Sequence, residues 1–224
     1  MLHVSLAQSQ FSLCCNVVSL ANRACHGTQG VHTNTDNTFS MHTIPGCSQQ
    51  SVSESSFNGH WINSKTGNPA TNCYIKYPGQ DDNQGCSIGS NPQDSPKPYG
   101  APFNAAGGGV YVMLWEYSKP TAAAAPQHAE EVQDDGHISL WFFGRDSIPQ
   151  DLLGPSPRPP LDVKPMGRYH TSEQDCPAGH FNQQQMIFDI TLCGQWAGRE
   201  FVNAGCGQAT PGQTPEDACD AYAL

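Results

Sequence analysis

The histidines and cysteines are the residues whose chemistry is considered first, and their spacing argues against a metal site. The sequence contains nine histidines and ten cysteines. None of them forms a His-x-x-x-His pair or a Cys-x-x-Cys unit, the spacings typical of zinc sites. We therefore expect no metal site and no cofactor. The sequence also gives no support to Ser-His-Asp catalysis.

The spread of the cysteines favours disulfide bonds instead. Three of them, Cys14, Cys15 and Cys25, lie within the first 30 residues. The other seven are Cys47, Cys73, Cys86, Cys176, Cys193, Cys206 and Cys219. Disulfides persist in oxidising compartments, so this number of cysteines favours an extracellular protein. The spacing leaves the connectivity open, and an odd set of seven leaves one thiol free or with a partner elsewhere.

Three tryptophans offer a second kind of chemistry, which is stacking on sugar rings. They are Trp115, Trp141 and Trp196, and we interpret them as candidate substrate-binding residues. The apolar face of a sugar ring fits the flat surface of an indole. Packing in a hydrophobic core is the alternative for each of them.

Three runs with a period of two predict the strands that carry these residues. They span residues 110–117, 137–143 and 186–192, and successive side chains in each run point to opposite faces. In the first two runs, aliphatic side chains share one face, whereas the tryptophans lie on the other. We expect the aliphatic faces to fill a core between two sheets and the aromatic faces to line a cleft.

The remaining segments predict further strands and long connections. Residues 38–44 alternate as a strand, and residues 47–106 have almost no periodicity and are predicted to be long loops held by cysteines. We find no convincing helical stripe, and we expect a Gly-rich tail at the C-terminal end. Several short strands joined by long connections favour an all-β sandwich.

Composition and charge narrow the classes of function. Charged residues make up 13% of the chain, well below the roughly 25% of an average soluble protein. The formal net charge of −10 argues against a nucleic-acid partner. No apolar run reaches the roughly 18 residues that a membrane helix needs, so we expect no membrane partner. The abundance of Gly, Pro and neutral polar residues suits an extracellular protein that binds neutral polar ligands.

Four stretches follow one another in a recognisable order. They are GVHTNTDNTFSMHTIPGC at 30–47, YGAPFNAAGGGVYVMLW at 99–115, HISLWFFGRDSIPQDL at 137–152 and CPAGHFNQQQMIFDITLCGQWAG at 176–198. Together they resemble the fungal enzymes of glycoside hydrolase family 16, over about residues 30–219. The resemblance implies a β-jelly-roll sandwich with a β-glucan-binding cleft. It also implies an extracellular, monomeric endo-1,3(4)-β-glucanase that hydrolyses O-glycosyl bonds with retention.

The chain departs from the family just before Gly30, where members carry a strand with the pattern Glu-x-Asp-x-x-Glu. Retaining glycosidases need a carboxylate nucleophile and a carboxylic acid about 5–5.5 Å apart. Aligned on Gly30, the three carboxylate positions fall at Ala24, His26 and Gln29. Alanine cannot attack a sugar, and glutamine cannot donate a catalytic proton. We therefore expect the chain to be inactive as written.

One histidine takes a supporting place in the same resemblance. His42 lies on the strand that follows the catalytic strand, at a position that the family fills with histidine beside the acid/base residue. We interpret His42 as a possible supporting residue of the site. A structural histidine at a sheet edge is the alternative.

These observations predict a division of the chain near Gly30. We interpret residues 1–29 as an unmatched segment that is not the native upstream sequence, without a convincing signal peptide, and we expect it to pack poorly against the sandwich. Residues 30–224 are predicted to be a partial family domain, incomplete at both ends, with an Ala/Pro-rich insertion at 118–136. The alternative is a genuine non-catalytic relative, a lectin-like protein that binds β-glucan.

Overall fold

The computed structural model describes residues 3–7, 12–13, 37–116, 136–181, 185–189 and 210–223. Nine strands lie within these ranges and form three antiparallel sheets of three strands each. In chain order they are β1 (His3–Ala7), β2 (Ser12–Leu13), β3 (Thr38–Met41), β4 (His60–Trp61), β5 (Cys86–Gly89), β6 (Gly109–Glu116), β7 (His137–Gly144), β8 (Gly167–His170) and β9 (Gln185–Asp189). The architecture is all-β, as the sequence predicts.

Two of the sheets pack face to face and enclose the core. The first sheet has the order β3-β5-β4 and the second has the order β6-β7-β8. Tyr169 of β8 reaches across the gap, where its ring meets Trp61 of β4 edge-on at 6.0 Å and its hydroxyl donates to the carbonyl oxygen of Phe39 at 2.6 Å. Both Tyr169 and Phe39 are fully buried. Each such aromatic side chain removes a large apolar area from water, which is the main stabilising contribution to the sandwich.

The register of the second sheet corrects the expected assignment of faces. Trp115 lies opposite Ile138, whereas Trp141 lies opposite Val112. Residues directly opposite each other share a face, and Ile138 is fully buried in the core. The aliphatic face of β7 therefore fills the core as expected. The expectation is wrong for β6, whose aromatic face packs on the core because Tyr and Trp bury more apolar area there than valine would.

Two disulfide bonds fasten the loops around the first sheet. Cys73 is bonded to Cys86, and Cys47 is bonded to Cys176. Disulfides are thus present as predicted, and the structure supplies the pairing of these four cysteines. Residues 47–106 are not loops throughout, because β4 and β5 lie within them. The sequence analysis missed β5 because all four of its residues are buried, so it has no alternating pattern.

The third sheet has the order β2-β1-β9. Residues 185–189 form a strand, as the alternation predicts, and 190–192 lie outside the described residues. The strand that β9 pairs with is unexpected. β9 pairs along its whole length with β1, from Gln185 opposite Ala7 to Asp189 opposite His3. This pairing ties His3–Ala7 to β9, and the expectation that residues 1–29 pack poorly against the sandwich stays a prediction.

Two short α-helices also lie in the described part of the chain, and the sequence analysis missed both. They are α1 (Gly100–Ala105) and α2 (Pro215–Ala223). Thr214 precedes α2 and exchanges hydrogen bonds with Asp217, its main chain donating to the carboxylate and its hydroxyl accepting from the Asp217 amide. This reciprocal cap, followed by proline at the first helical position, is a recognised signal for the start of a helix. Neither helix is long and apolar enough to cross a membrane.

Candidate functional site

His42 lies directly after β3, and its imidazole is held on the face of the first sheet that points away from the core. Its neighbour Met41 is fully buried in the core, so alternation along the chain directs His42 to the opposite side. The Nε2 atom of His42 lies 3.1 Å from the carbonyl oxygen of Gln84. A carbonyl only accepts hydrogen bonds, so Nε2 carries the proton and donates it.

Two serines extend this polar face along the neighbouring strands. Ser40 of β3 lies opposite Ser87 of β5, and their hydroxyl oxygens are 2.8 Å apart. Ser87 donates its single hydroxyl hydrogen to the carbonyl oxygen of Gln84 at 3.1 Å. The Ser40 hydroxyl must therefore be the donor to Ser87. The result is a chain of hydrogen bonds in which Ser40 donates to Ser87 and Ser87 donates to the Gln84 carbonyl oxygen. The same oxygen also accepts the hydrogen bond from the imidazole N–H of His42.

The loop between Cys73 and Cys86 holds the Gln84 carbonyl in place. Gln80, buried within this loop, donates from Nε2 to the carbonyl oxygens of Asn72 at 2.8 Å and Gly85 at 2.7 Å. Its Oε1 atom accepts from the main-chain amide of Asn72 at 3.1 Å. One amide side chain thus joins the two ends of the loop beside the disulfide.

Gly89 has no side chain, which keeps this face shallow at its end near β4. Gly89 of β5 lies opposite both Thr38 and His60. A Cβ atom at Gly89 would lie 2.8 Å from Cε1 of His60 and 2.8 Å from Cδ1 of Ile62, closer than real contacts allow. These two side chains can therefore lie over the strand. We call this surface the polar face; it consists of Thr38, Ser40, His42, His60, Ser87 and Gly89.

The polar face carries neutral hydrogen-bonding groups of hydroxyl, imidazole and main-chain type; Thr38 and His60 are partly exposed, whereas Ser40, His42 and Ser87 are buried. Such groups match the hydroxyls of an uncharged ligand. The three expected carboxylate positions, Ala24, His26 and Gln29, lie outside the described residues. Within the described ranges, no group of three or more His, Cys, Asp or Glu side chains could hold a metal ion.

The tryptophans predicted to bind substrate occupy different surroundings. Trp115 packs against the core, where its ring meets Phe181 edge-on at 5.4 Å. Trp141 lies on the other side of the second sheet, 4% exposed, and donates its indole N–H to the carbonyl oxygen of Val163 at 2.8 Å. Trp196 lies outside the described residues. The structure therefore does not bring Trp115 and Trp141 together on one surface.

A Gly-x-Ser-x-Gly pattern occurs at residues 85–89, but it does not form a nucleophile elbow. An elbow places its serine on a sharp strand-to-helix turn with an exposed hydroxyl. Here Ser87 lies within β5, is buried, and donates to the Gln84 carbonyl. The motif is therefore present in the sequence, but its serine is a buried strand residue and not an exposed nucleophile.

Sequence reasoning missed the residues that support His42. Gln80 and Gln84 stand in a loop without periodicity, and nothing in their spacing indicates a role. Gly85 offers a better signal in the sequence, because a glycine directly before a cysteine can indicate a backbone position with positive φ. Its φ in the structure is +62°.

Comparisons with known proteins identify the family of this chain. A family model of XgeA-like catalytic GH16 domains matches residues 28–222. A probable glycosidase of Schizosaccharomyces pombe is 31% identical over 199 residues, which are 87% of this chain and 40% of that protein. An endo-1,3(4)-beta-glucanase of Arthroderma benhamiae is 32% identical over 170 residues, 75% of this chain and 30% of that protein. The chain thus spans less than half the length of these relatives.

A solved structure supports the fold. It is described as an elongating GH family 16 beta-1,3-glucosyltransferase and superposes with a TM-score of 0.64 at 23% identity. The match covers 99% of this chain and 59% of that one. At this identity the likeness shows the jelly-roll fold alone.

Proposed function

We propose that this chain, which belongs to glycoside hydrolase family 16, recognises β-1,3(4)-glucan on its polar face and does not hydrolyse it as written. The observation that carries the proposal is the match of residues 28–222 to catalytic domains of the family. Relatives that are named glycosidase or endo-1,3(4)-beta-glucanase support β-glucan as the ligand. Disulfides, which need an oxidising compartment, support an extracellular location.

The absence of hydrolysis follows from the residues before Gly30. Retaining cleavage needs one carboxylate to attack the anomeric carbon and one carboxylic acid to protonate the leaving oxygen. The aligned positions hold Ala24, His26 and Gln29. Losing such a group costs several orders of magnitude in rate, so binding is the part of the family's activity that this chain retains.

The polar face can bind a glucan through its neutral donors and acceptors. The Gln84 carbonyl already takes two hydrogen bonds, from His42 and from Ser87, which fixes the orientation of both side chains. A side chain held in one orientation pays little entropy when it contacts a ligand. His42 is therefore a positioned recognition group in this proposal.

The test combines a binding assay with an activity assay on the unmodified chain. Affinity electrophoresis in gels that contain laminarin or lichenan should retard the chain, and a reducing-sugar assay should give only background release. His42→Ala should weaken retardation up to about tenfold, the worth of one net hydrogen bond. His137→Ala is the control, because His137 is a partly buried histidine on the second sheet, away from the polar face and paired with Glu116 at 2.7 Å.

Three outcomes would contradict the proposal. Mobility that neither polysaccharide changes would remove β-glucan as the ligand. Equal retardation of the His42 and His137 variants would move the binding site away from the polar face. Release of reducing sugar that one Asp or Glu substitution abolishes would show that the acid pair lies elsewhere in the chain.

A further inference from the structure

A cavity of about 140 Å³ lies on the outer face of the second sheet, against β7. Its lining combines aromatic side chains with polar ones: Asn58, Asp94, Trp141, Phe143, Ser147 and Lys164. Trp141 and Phe143 stand two residues apart on β7 and therefore share this face. The polar face of the first sheet lies on the opposite side of the sandwich, with the core between them.

The size of the cavity selects one six-membered ring. A protein cavity of about 150 Å³ holds a benzene molecule. A cavity of about 140 Å³ therefore accepts a single ring of that size but not a longer ligand in full. A polymer could place one unit inside and leave its neighbours in solvent.

The chemistry of the lining selects a ring that carries hydroxyl groups. An apolar ring would displace water from the side chains of Asn58, Ser147 and Lys164 without replacing the hydrogen bonds that this water makes, which costs free energy. A pyranose instead places its C–H face on the partly exposed ring of Phe143 and turns its hydroxyls toward amide, hydroxyl and ammonium groups. Asp94 and Lys164 supply one charge of each sign, so the lining as a whole does not favour an ionic ligand.

Several contacts form the cavity in advance of any ligand. The indole N–H of Trp141 is fixed by the Val163 carbonyl at 2.8 Å, and Asn58 donates from Nδ2 to the Lys164 carbonyl at 3.2 Å. Gly144 allows Pro96 to close one wall, because a Cβ atom there would overlap the Pro96 ring. In a preformed site, the ordering of side chains weakens binding only slightly.

We infer that this cavity is a second carbohydrate site, which takes one pyranose unit of a neutral glycan independently of the polar face. Trp141 belongs to this site rather than to a shared cleft with Trp115. The inference does not require that the polar face binds β-glucan, since it stands on the lining and volume of the cavity alone.

The experiment titrates the full chain with laminaritriose and, separately, with cellotriose by isothermal titration calorimetry. The exposed residue Ser147 gives a matched pair of variants. Ser147→Phe adds a ring at the cavity wall, and Ser147→Ala keeps the cavity open while removing only the hydroxyl. Thermal melts establish that both variants fold. His42→Ala reports the polar face in parallel.

The expected result is a binding event that the Ser147→Phe variant loses by at least tenfold in affinity, that Ser147→Ala keeps within about threefold, and that His42→Ala leaves unchanged. Asn58→Ala should weaken the same event. Unchanged affinity and stoichiometry in Ser147→Phe would overturn the inference, as would titrations in which the whole heat signal depends on His42 and none of it on Ser147. If binding depends on Ser147 and no binding event depends on His42, the proposed function is contradicted and the cavity site stands.

Discussion

Gly85 lies directly against the imidazole of His42. A Cβ atom at Gly85 would overlap Cδ2 of His42 and the carbonyl oxygen of Met41. Gly85 also has a φ of +62°, a backbone conformation that residues other than glycine adopt only at a cost in free energy. The backbone of the loop closed by the Cys73–Cys86 disulfide thus packs on the candidate binding residue, and the position of His42 depends on glycine at this point.

Replacing Gly85 by alanine should therefore cost more than backbone strain alone. We expect Gly85→Ala to lower the free energy of unfolding by about 3 kcal/mol, because strain and overpacking add. Gly67→Ala is the control: Gly67 also has a positive φ, +80°, but a Cβ atom there meets nothing within 4 Å. We expect about 1 kcal/mol for it. Urea unfolding of both variants measures the difference, and equal losses would contradict the contact with His42.

The two described disulfides should differ in their contribution to stability. Cys73 and Cys86 are 13 positions apart, whereas Cys47 and Cys176 are 129 positions apart. In the chain-entropy model a disulfide contributes about 3 kcal/mol for a loop of about 15 residues and about 4.7 kcal/mol for about 100 residues.

We therefore expect the double variant Cys47→Ala with Cys176→Ala to be less stable than Cys73→Ala with Cys86→Ala by about 2 kcal/mol. Chemical denaturation under non-reducing conditions compares the two double variants with the unmodified chain. A larger loss for the short loop would mean that its native contacts, including those of Gln80, matter more than loop entropy.

Alternation along the chain predicted the long strands well and the identity of the core face poorly. Residues 110–117 and 137–143 were predicted as strands, and β6 and β7 occupy them almost to the residue. A period of two shows that two faces differ, but it does not show which one is buried. Cross-strand register decides that question, and Ile138 opposite Trp115 could not be deduced from either strand alone.

The candidate site was predictable only in part for a related reason. His42 was identified through a motif, because its neighbours in sequence carry the resemblance. Its actual contacts come from Gln84, which is 42 positions away, and from a loop that has no periodic pattern. Loop contacts of this kind depend on backbone conformation, which glycine and disulfide positions only suggest.

The missed helix α2 gives a direct test of its capping signal. The hydroxyl of Thr214 accepts from the amide of Asp217 at 3.1 Å, and hydrogen bonds from Thr214 lower the pKa of the Asp217 carboxyl. Thr214→Ala should lower the stability of the helix by about 1 kcal/mol, whereas Thr214→Ser should preserve it. Amide hydrogen exchange across residues 217–221 measures the effect. Equal exchange in all three proteins would show that the cap contributes nothing.

Tyr111 should make the stability of the fold fall at alkaline pH. Burial raises the pKa of its phenol above the ordinary value of about 10, and the hydrogen bond from Asn37 opposes this only in part. As the pH rises past about 10, the unfolded chain loses this proton while the folded chain keeps it, so the free energy of unfolding falls by about 1.4 kcal/mol per pH unit. Urea unfolding between pH 8 and pH 11 should show the decline, which Tyr111→Phe should make shallower. Tyr77→Phe, which alters a phenol that is 40% exposed, should keep it. An identical slope in Tyr111→Phe and the unmodified chain would contradict a partly buried, neutral Tyr111.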